Sequence, residues 1–307
     1  MAERVSTGDR VVDVSIVLPI YNEKGHLRDE LDRITLAMDS SPYSYELVVI
    51  DDGSTDGSLE ELRQIDDIRL ISFVHNRGSG SARRAGTRAS KGRIVVWTDV
   101  DMTYPNDDIP MLVKELEGND QVVGARTSEE GTHKFARVPA KWFIRRLAQY
   151  LTNVKIPDLN SGFRAFRRDV SLQYLHMLPA GFSCVTTITM CFLANGYSVK
   201  YIPIEYKERA GTSKFHWYRD TKRYAQQVVR MIFTYNPMRV FGPLSLALLT
   251  AGFGKLIWDL FDKTEFRVPV NTALLLFMGF QVLSIGLLAD VLARSGKSTH
   301  DIEPATR

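Results

Sequence analysis

The chain has 307 residues, enough for one large domain plus an appendage. A net charge of +3 is too mild to argue for a nucleic-acid partner, and two cysteines, Cys184 and Cys191, are too few for a disulfide framework. Arg4, Asp9, Arg10 and Asp13 precede any apolar run, so we expect no secretory leader and a reducing, cytosolic setting.

Residues 1–11 read as an N-terminal tail and residues 12–215 as the main domain. Strand-like runs occur at 14–20 (VSIVLPI), 45–51 (YELVVID), 68–74 (IRLISFV) and 93–99 (RIVVWTD). Helix-like segments lie between and after them, at 23–38, 58–65, 79–90 and 107–117. That alternation predicts an α/β fold with a mainly parallel sheet covered by helices. Ligands of such sheets sit beyond the carboxyl ends of the strands. Three of these ends run into polar clusters: PIYNE (19–23), DDGSTDG (51–57) and TDVDMTYP (98–105). No GxxxxGK[ST] or GxGxxG follows the first strand, and the glycine-rich GSGSARRAG (78–86) has neither the place nor the spacing. P-loop and dinucleotide-binding enzymes are therefore disfavoured.

Alternation along an extended segment sends Asp99 and Asp101 to one side and Val100 toward the sheet. Two carboxylates so placed suit one Mg²⁺ or Mn²⁺ ion that shares its shell with substrate oxygens. For a lone D-x-D the plainer reading is a solvated turn. In DDGSTDG, Ser54 to Asp56 read as a turn and helix cap, which leaves Asp52 as the functional candidate. Glu23 reads either as a site residue or as an acid in a first helical turn.

Toward the far end, residues 216–238 mix Trp217, Tyr224 and Phe233 with arginines and lysines, which predicts an interfacial helix at the headgroup layer. Two apolar stretches follow within 239–294, at 240–258 and 270–292, each near the length a helix needs to cross a bilayer. Gln281 and Asp290 interrupt the second, while Lys255 in the first can pair with Asp259 one turn on. Arg219, Lys222, Arg223, Arg230 and Arg239 precede the hairpin, Arg294 and Lys297 follow it, and its turn is mixed in charge. The positive-inside rule then puts the main domain, both termini and the tail 295–307 in the cytoplasm, on the cell (inner) membrane. Gly242, Gly252 and Gly254 would permit close helix approach and a homo-oligomer through the hairpin.

PIYNE, DDGSTDG and DVD, in this order, resemble the GT-A (Rossmann-like) domain of family 2 glycosyltransferases. VGAR (123–126), NSGFRAFRR (160–168) and ERAGTSKF (208–215) resemble its polyprenyl-phosphate branch, which includes dolichyl-phosphate mannose synthases. The resemblance spans roughly residues 12–240, and the hairpin joins it by architecture. It implies inverting transfer of a hexose or N-acetylhexosamine from a UDP- or GDP-linked sugar to polyprenyl phosphate, for cell-envelope glycan or glycoprotein synthesis. By the same resemblance Pro19, Tyr21, Glu23, Ile50, Asp52, Asp99, Val100 and Asp101 hold the nucleotide sugar, and the loop with Arg209, Ser213 and Lys214 closes over its diphosphate. Asp99 and Asp101 carry the metal, and Arg126, Arg137, Ser161 and Arg164 face the acceptor phosphate. Arg145 adds positive charge, and Asp158 would be the base for a neutral acceptor. A QxxRW sequence, typical of polysaccharide synthases, is absent. A membrane-tethered transferase with another acceptor and a non-enzymatic adaptor on a transferase scaffold are the competing readings.

Overall fold

The structure is a computed structural model that describes residues 12–127, 146, 149–150, 154–206, 236–262 and 268–295. Arg137, Arg145, Arg209, Ser213, Lys214 and most of the juxtamembrane segment 216–238 lie outside the described residues. The chain divides into two compact units, Met1–Asp220 and Thr221–Arg307.

In the first unit the chain runs β1 (Val14–Ile20), α1 (Leu27–Asp39), β2 (Tyr45–Asp51), α2 (Ser58–Leu62), β3 (Ile68–Ser72) and α3 (Ser79–Ala89). It continues through β4 (Ile94–Trp97), α4 (Ile109–Lys114), β5 (Gln121–Arg126) and β6 (Arg164–Arg167). Helices α5 (Arg168–Tyr174) and α6 (Cys184–Ala194) then lead into β7 (Val199–Ile204). The seven strands form one sheet in the order β3-β2-β1-β4-β6-β5-β7. Every pairing is parallel except those of β6, which runs antiparallel to both β4 and β5. The mixed, mainly parallel sheet read from the sequence is therefore present.

The first two strands have the bounds expected from their apolar runs, whereas β3 stops at Ser72 and β4 at Trp97. Asp99–Asp101 thus lie in the loop beyond the strand. Helix α1 starts at Leu27, four residues after Glu23, because Asn22 and Gly25 take positive φ values of 55° and 95° that a helix cannot contain. Glu23 is accordingly no first-turn acid.

Each sheet face carries its own core. On one, Ile16, Leu18 and Ile20 pack with Leu27, Leu31, Ile34 and Met38, the inward stripe of α1. On the other, Val17, Val48, Ile50, Val95 and Trp97 meet Ala82 of α3 and Cys184, Ile188 and Phe192 of α6. Helix α3 lies especially close, since a Cβ at Gly86 would overlap Val17 and Ile50. Gly86→Ala is expected to lower stability by about 1–3 kcal/mol through overpacking. Thermal unfolding of the full chain in detergent measures it.

The second unit contains α7 (Met238–Asp262) and α8 (Val270–Ser295), both long and apolar enough to cross a membrane. Buried Ser245, Gly252 and Asp259 on α7, and Thr272, Gly279 and Gly286 on α8, recur every seven residues along the seam. A heptad of small residues lets two helices approach along their length. Leu276 fills the space over Gly252, Leu249 that over Gly279, and Phe241 that over Gly286. The Lys255–Asp259 pair expected from the sequence forms at 3.2 Å, and Asp259 also accepts a 2.5 Å hydrogen bond from the Thr272 hydroxyl. Within the hairpin a Cβ at Gly252 would meet Leu276 of the neighbouring helix, whereas nothing of that helix lies within 4 Å of a Cβ placed at Gly242 or Gly254.

Candidate active site

The loops after β1 and β2 are stitched together. Ser54 Oγ accepts from the Asn22 amide (3.1 Å), Ser58 Oγ from that of Glu23 (3.1 Å) and Asp56 Oδ2 from that of Lys24 (3.0 Å). In return Asn22 Oδ1 accepts from the Thr55 amide at 2.8 Å. The polar run 54–58 therefore fixes the PIYNE loop, while Gly57 rather than Ser54–Asp56 sits at the cap position of α2, without a side-chain cap hydrogen bond. Asp52 is buried, and burial raises its pKa despite backbone N–H bonds from Arg77 (2.7 Å) and Gly78 (2.8 Å). Gly53, at φ 73°, lets the loop after β3 lie directly against it, since a Cβ there would stand 2.7 Å from the His75 carbonyl carbon.

The segment His75–Gly78 is thus a structural partner of Asp52 that sequence reasoning passed over. The amides of Gly80 (2.7 Å) and Ser81 (3.2 Å) donate to the Ala180 carbonyl. The start of α3 is capped by protein, in accord with the missing phosphate fingerprint.

Beyond β4 the carboxylates of DVD have different partners. Asp99 Oδ1 binds Nη2 of Arg83 at 2.5 Å, and the Arg83 side chain is 1% exposed against 26% for Asp99. Arg83 also lies over the Trp97 ring, 5.7 Å from its centroid. Asp101 Oδ1 accepts from the hydroxyl (2.5 Å) and amide (3.3 Å) of Thr103. Val100 is buried in the core as expected, although the segment is a loop and not the extended run from which that was read. Below the loop, Asn106 donates to the Asp99 carbonyl (3.1 Å) and to buried Glu30 (2.5 Å), and accepts from Thr98 (2.5 Å). From the other side Gly162 closes on the pair: a Cβ there would lie 3.0 Å from Asp99 Oδ2, 3.1 Å from Arg83 Nη2 and 3.2 Å from the Tyr104 hydroxyl. That hydroxyl accepts the Gly162 amide at 2.7 Å, and burial pushes its pKa up, so it stays neutral.

Two of the arginines expected at an acceptor phosphate, Arg126 and Arg164, are engaged within the protein. Arg126 forms a two-pronged ion pair with Asp158, Nε to Oδ2 at 2.7 Å and Nη2 to Oδ1 at 3.1 Å, and lies over the Tyr206 ring. Burial works to raise the Asp158 pKa, but the Arg126 hydrogen bonds and charge outweigh it and hold the carboxyl below its ordinary range. Arg164 is fully buried, bonding the Ser161 carbonyl, the Val185 carbonyl (2.6 Å) and Thr189 (2.7 Å). It ties the 158–163 loop to α6 and offers no surface to a phosphate. The Ser161 hydroxyl is likewise buried and accepts from the Phe163 amide at 3.3 Å.

Asp99 and Asp101, partly exposed oxygen donors at one strand end, fit a Mg²⁺ or Mn²⁺ ion that draws its other ligands from substrate and water. Among the described residues no group of three or more His, Cys, Asp or Glu could hold a metal alone. The two aspartates are unequal for stability. Removing Asp99 strands a buried guanidinium, so Asp99→Ala is expected to cost about 3–5 kcal/mol. Asp101→Ala should cost less, about 1–2 kcal/mol for its hydrogen bonds to Thr103, and Arg83→Met should recover much of the Asp99→Ala loss. Thermal unfolding of the four proteins compares them.

Three strand ends carrying polar loops, closed by a glycine of an S-G-F-R segment, are the arrangement expected of a GT-A sugar transferase. The family model described as Glycosyl transferase family 2 matches residues 15–175, and one described as GtrB C-terminal hairpin matches residues 236–295. The chain belongs to the family 2 glycosyltransferases and is a membrane-associated enzyme of that class. It is 30% identical over 298 residues to an undecaprenyl-phosphate 4-deoxy-4-formamido-L-arabinose transferase of Aeromonas hydrophila, covering 92% of this chain and 88% of the relative. A Proteus mirabilis protein of the same description is 28% identical over 312 residues, covering 94% and 91%. Among solved structures, glucosyl-3-phosphoglycerate synthase of Mycobacterium tuberculosis with Mn²⁺, UDP and phosphoglyceric acid superposes with a TM-score of 0.56 at 22% identity, over 73% of this chain and 78% of that one.

Proposed function

We propose that this enzyme transfers a sugar from a nucleoside-diphosphate donor to polyprenyl phosphate, with inversion at the anomeric carbon. The observation that carries the reading is similarity over nine-tenths of the chain, hairpin included, to transferases described by an undecaprenyl-phosphate acceptor. A hexose or N-acetylhexosamine is the donor sugar we favour. The relatives' formamido-arabinose belongs in the same test.

In this reading Asp52 and the PIYNE loop hold the nucleoside, and Asp99 and Asp101 hold a divalent cation. When bound, that cation supplies positive charge to the departing diphosphate. Lys214 and Arg209 close over the donor, while Arg137 and Arg126 serve the acceptor phosphate, Arg126 once its pairing with Asp158 is exchanged for the ligand. A phosphate oxygen is anionic at neutral pH and attacks without a base, so positioning accounts for most of the catalysis. Asp158 suits this scheme, since its lowered pKa and ion pair make it a poor proton acceptor. The charge pattern around the hairpin favours a cytoplasmic catalytic unit at the inner membrane.

Radiolabel transfer from a panel of UDP- and GDP-sugars to short polyprenyl phosphates, with Mg²⁺, Mn²⁺ or chelator, tests the proposal. One donor should give a chelator-sensitive lipid product that Asp101→Ala reduces by roughly 100-fold or more. Nucleotide binding without lipid product from any donor would instead favour a different acceptor or an adaptor. The pH profile gives a second check. A carboxyl held below its ordinary range is ionised throughout pH 5–8, so Asp158 contributes no limb there. Asp158→Asn should keep the wild-type shape of kcat/KM against pH and near-normal turnover. Loss of an acidic limb in that variant would identify Asp158 as a base.

A further inference from the structure

Arg83 is the least expected residue of the site. It lies on the inward face of α3, fully buried, and among the described residues its one anionic partner is Asp99. Among the described residues its buried Nε and Nη1 have no oxygen or nitrogen acceptor, and the weakly accepting Cys184 thiol lies nearby. Such a guanidinium is costly, and Trp97 on one side and Gly162 on the other leave it little room to turn away. Only Nη2 reaches the loop, and it takes up Oδ1 of one of the two carboxylates on offer to a cation.

We propose that Arg83 is a positioning residue that makes divalent-metal binding conditional on the nucleotide diphosphate. The charges of Arg83, Asp99 and Asp101 sum to a single negative charge. A bare divalent cation therefore meets half the charge that the sequence motif advertises, with one Asp99 oxygen already occupied. The diphosphate of the donor supplies the missing negative charge and the missing oxygens, so metal and nucleotide bind as one unit. Removing Arg83 takes one positive charge away from beside the two carboxylates, which favours binding of a cation without nucleotide. The inference rests on the metal-and-nucleotide reading above and adds a cause for the order in which the two assemble.

The test is Mn²⁺ titration of the full-length protein in detergent, read as loss of the free-ion EPR signal, with and without UDP or GDP. Wild type should bind Mn²⁺ weakly alone and at least about tenfold more tightly with one of the nucleotides. Arg83→Met should tighten binding of Mn²⁺ alone on the order of tenfold and shrink the nucleotide effect to match. Arg83→Lys, which keeps the charge, should behave as wild type. Arg83→Gln replaces the Met variant if that one does not fold. A gain of metal affinity is not what simple structural damage produces. A folded Arg83→Met or Arg83→Gln protein whose Mn²⁺ affinity without nucleotide equals or falls below that of wild type would overturn the inference. If wild type shows the nucleotide effect and the neutral variant keeps it in full, this inference alone fails. Wild type that binds no Mn²⁺ with either nucleotide would remove the metal-and-nucleotide reading and this inference together.

Discussion

The buried ion pair between Arg83 and Asp99 is the contact around which the site is arranged. It joins α3, packed against the sheet through Gly86, to the loop that follows β4. Gly162 closes over the pair because any larger residue would press on both partners and on Tyr104. Asn106 holds the same loop from beneath and passes the constraint to Glu30 on α1. Helices from both faces of the sheet thereby fix one short acidic segment. Under the proposed function such prior ordering leaves little reorganisation for the moment of reaction.

The architecture was legible where residue pattern and backbone requirement coincide. Apolar runs at 14–20 and 45–51 became strands with those bounds, since a strand buried on both faces is written as an unbroken apolar run. The acidic clusters fell at the carboxyl ends of parallel strands for the same topological reason that makes those ends ligand sites. Strand β6 was harder to read, because its sequence, Arg164 to Arg167, places arginines at both ends of a mostly buried segment. Nothing in that composition marks a strand between β4 and β5.

The charged residues were least legible, since a sequence states a charge but not what neutralises it. Arg164 and Arg126 read as phosphate ligands, yet one is buried against carbonyls and the other is paired with Asp158. Arg83 drew no attention inside a glycine-rich stretch. A clue was present, because Gly80, Arg83, Gly86, Thr87 and Ser90 recur at helical spacing among small residues, which sets Arg83 on the inward face. Glu30 shares the inward stripe of α1 in the same way. In the hairpin, likewise, the seven-residue recurrence of small residues is a better guide to the seam than the glycines taken singly.

The most direct test of this account is the position of the cation in a cryo-EM structure of the full-length enzyme with Mn²⁺ and the nucleoside diphosphate selected by the donor panel. The ion is expected against Asp99, Asp101 and the diphosphate oxygens, with Arg83 still bound to Asp99 Oδ1. An ion held by both aspartates with Arg83 turned away from Asp99, or one bound elsewhere, would contradict the account.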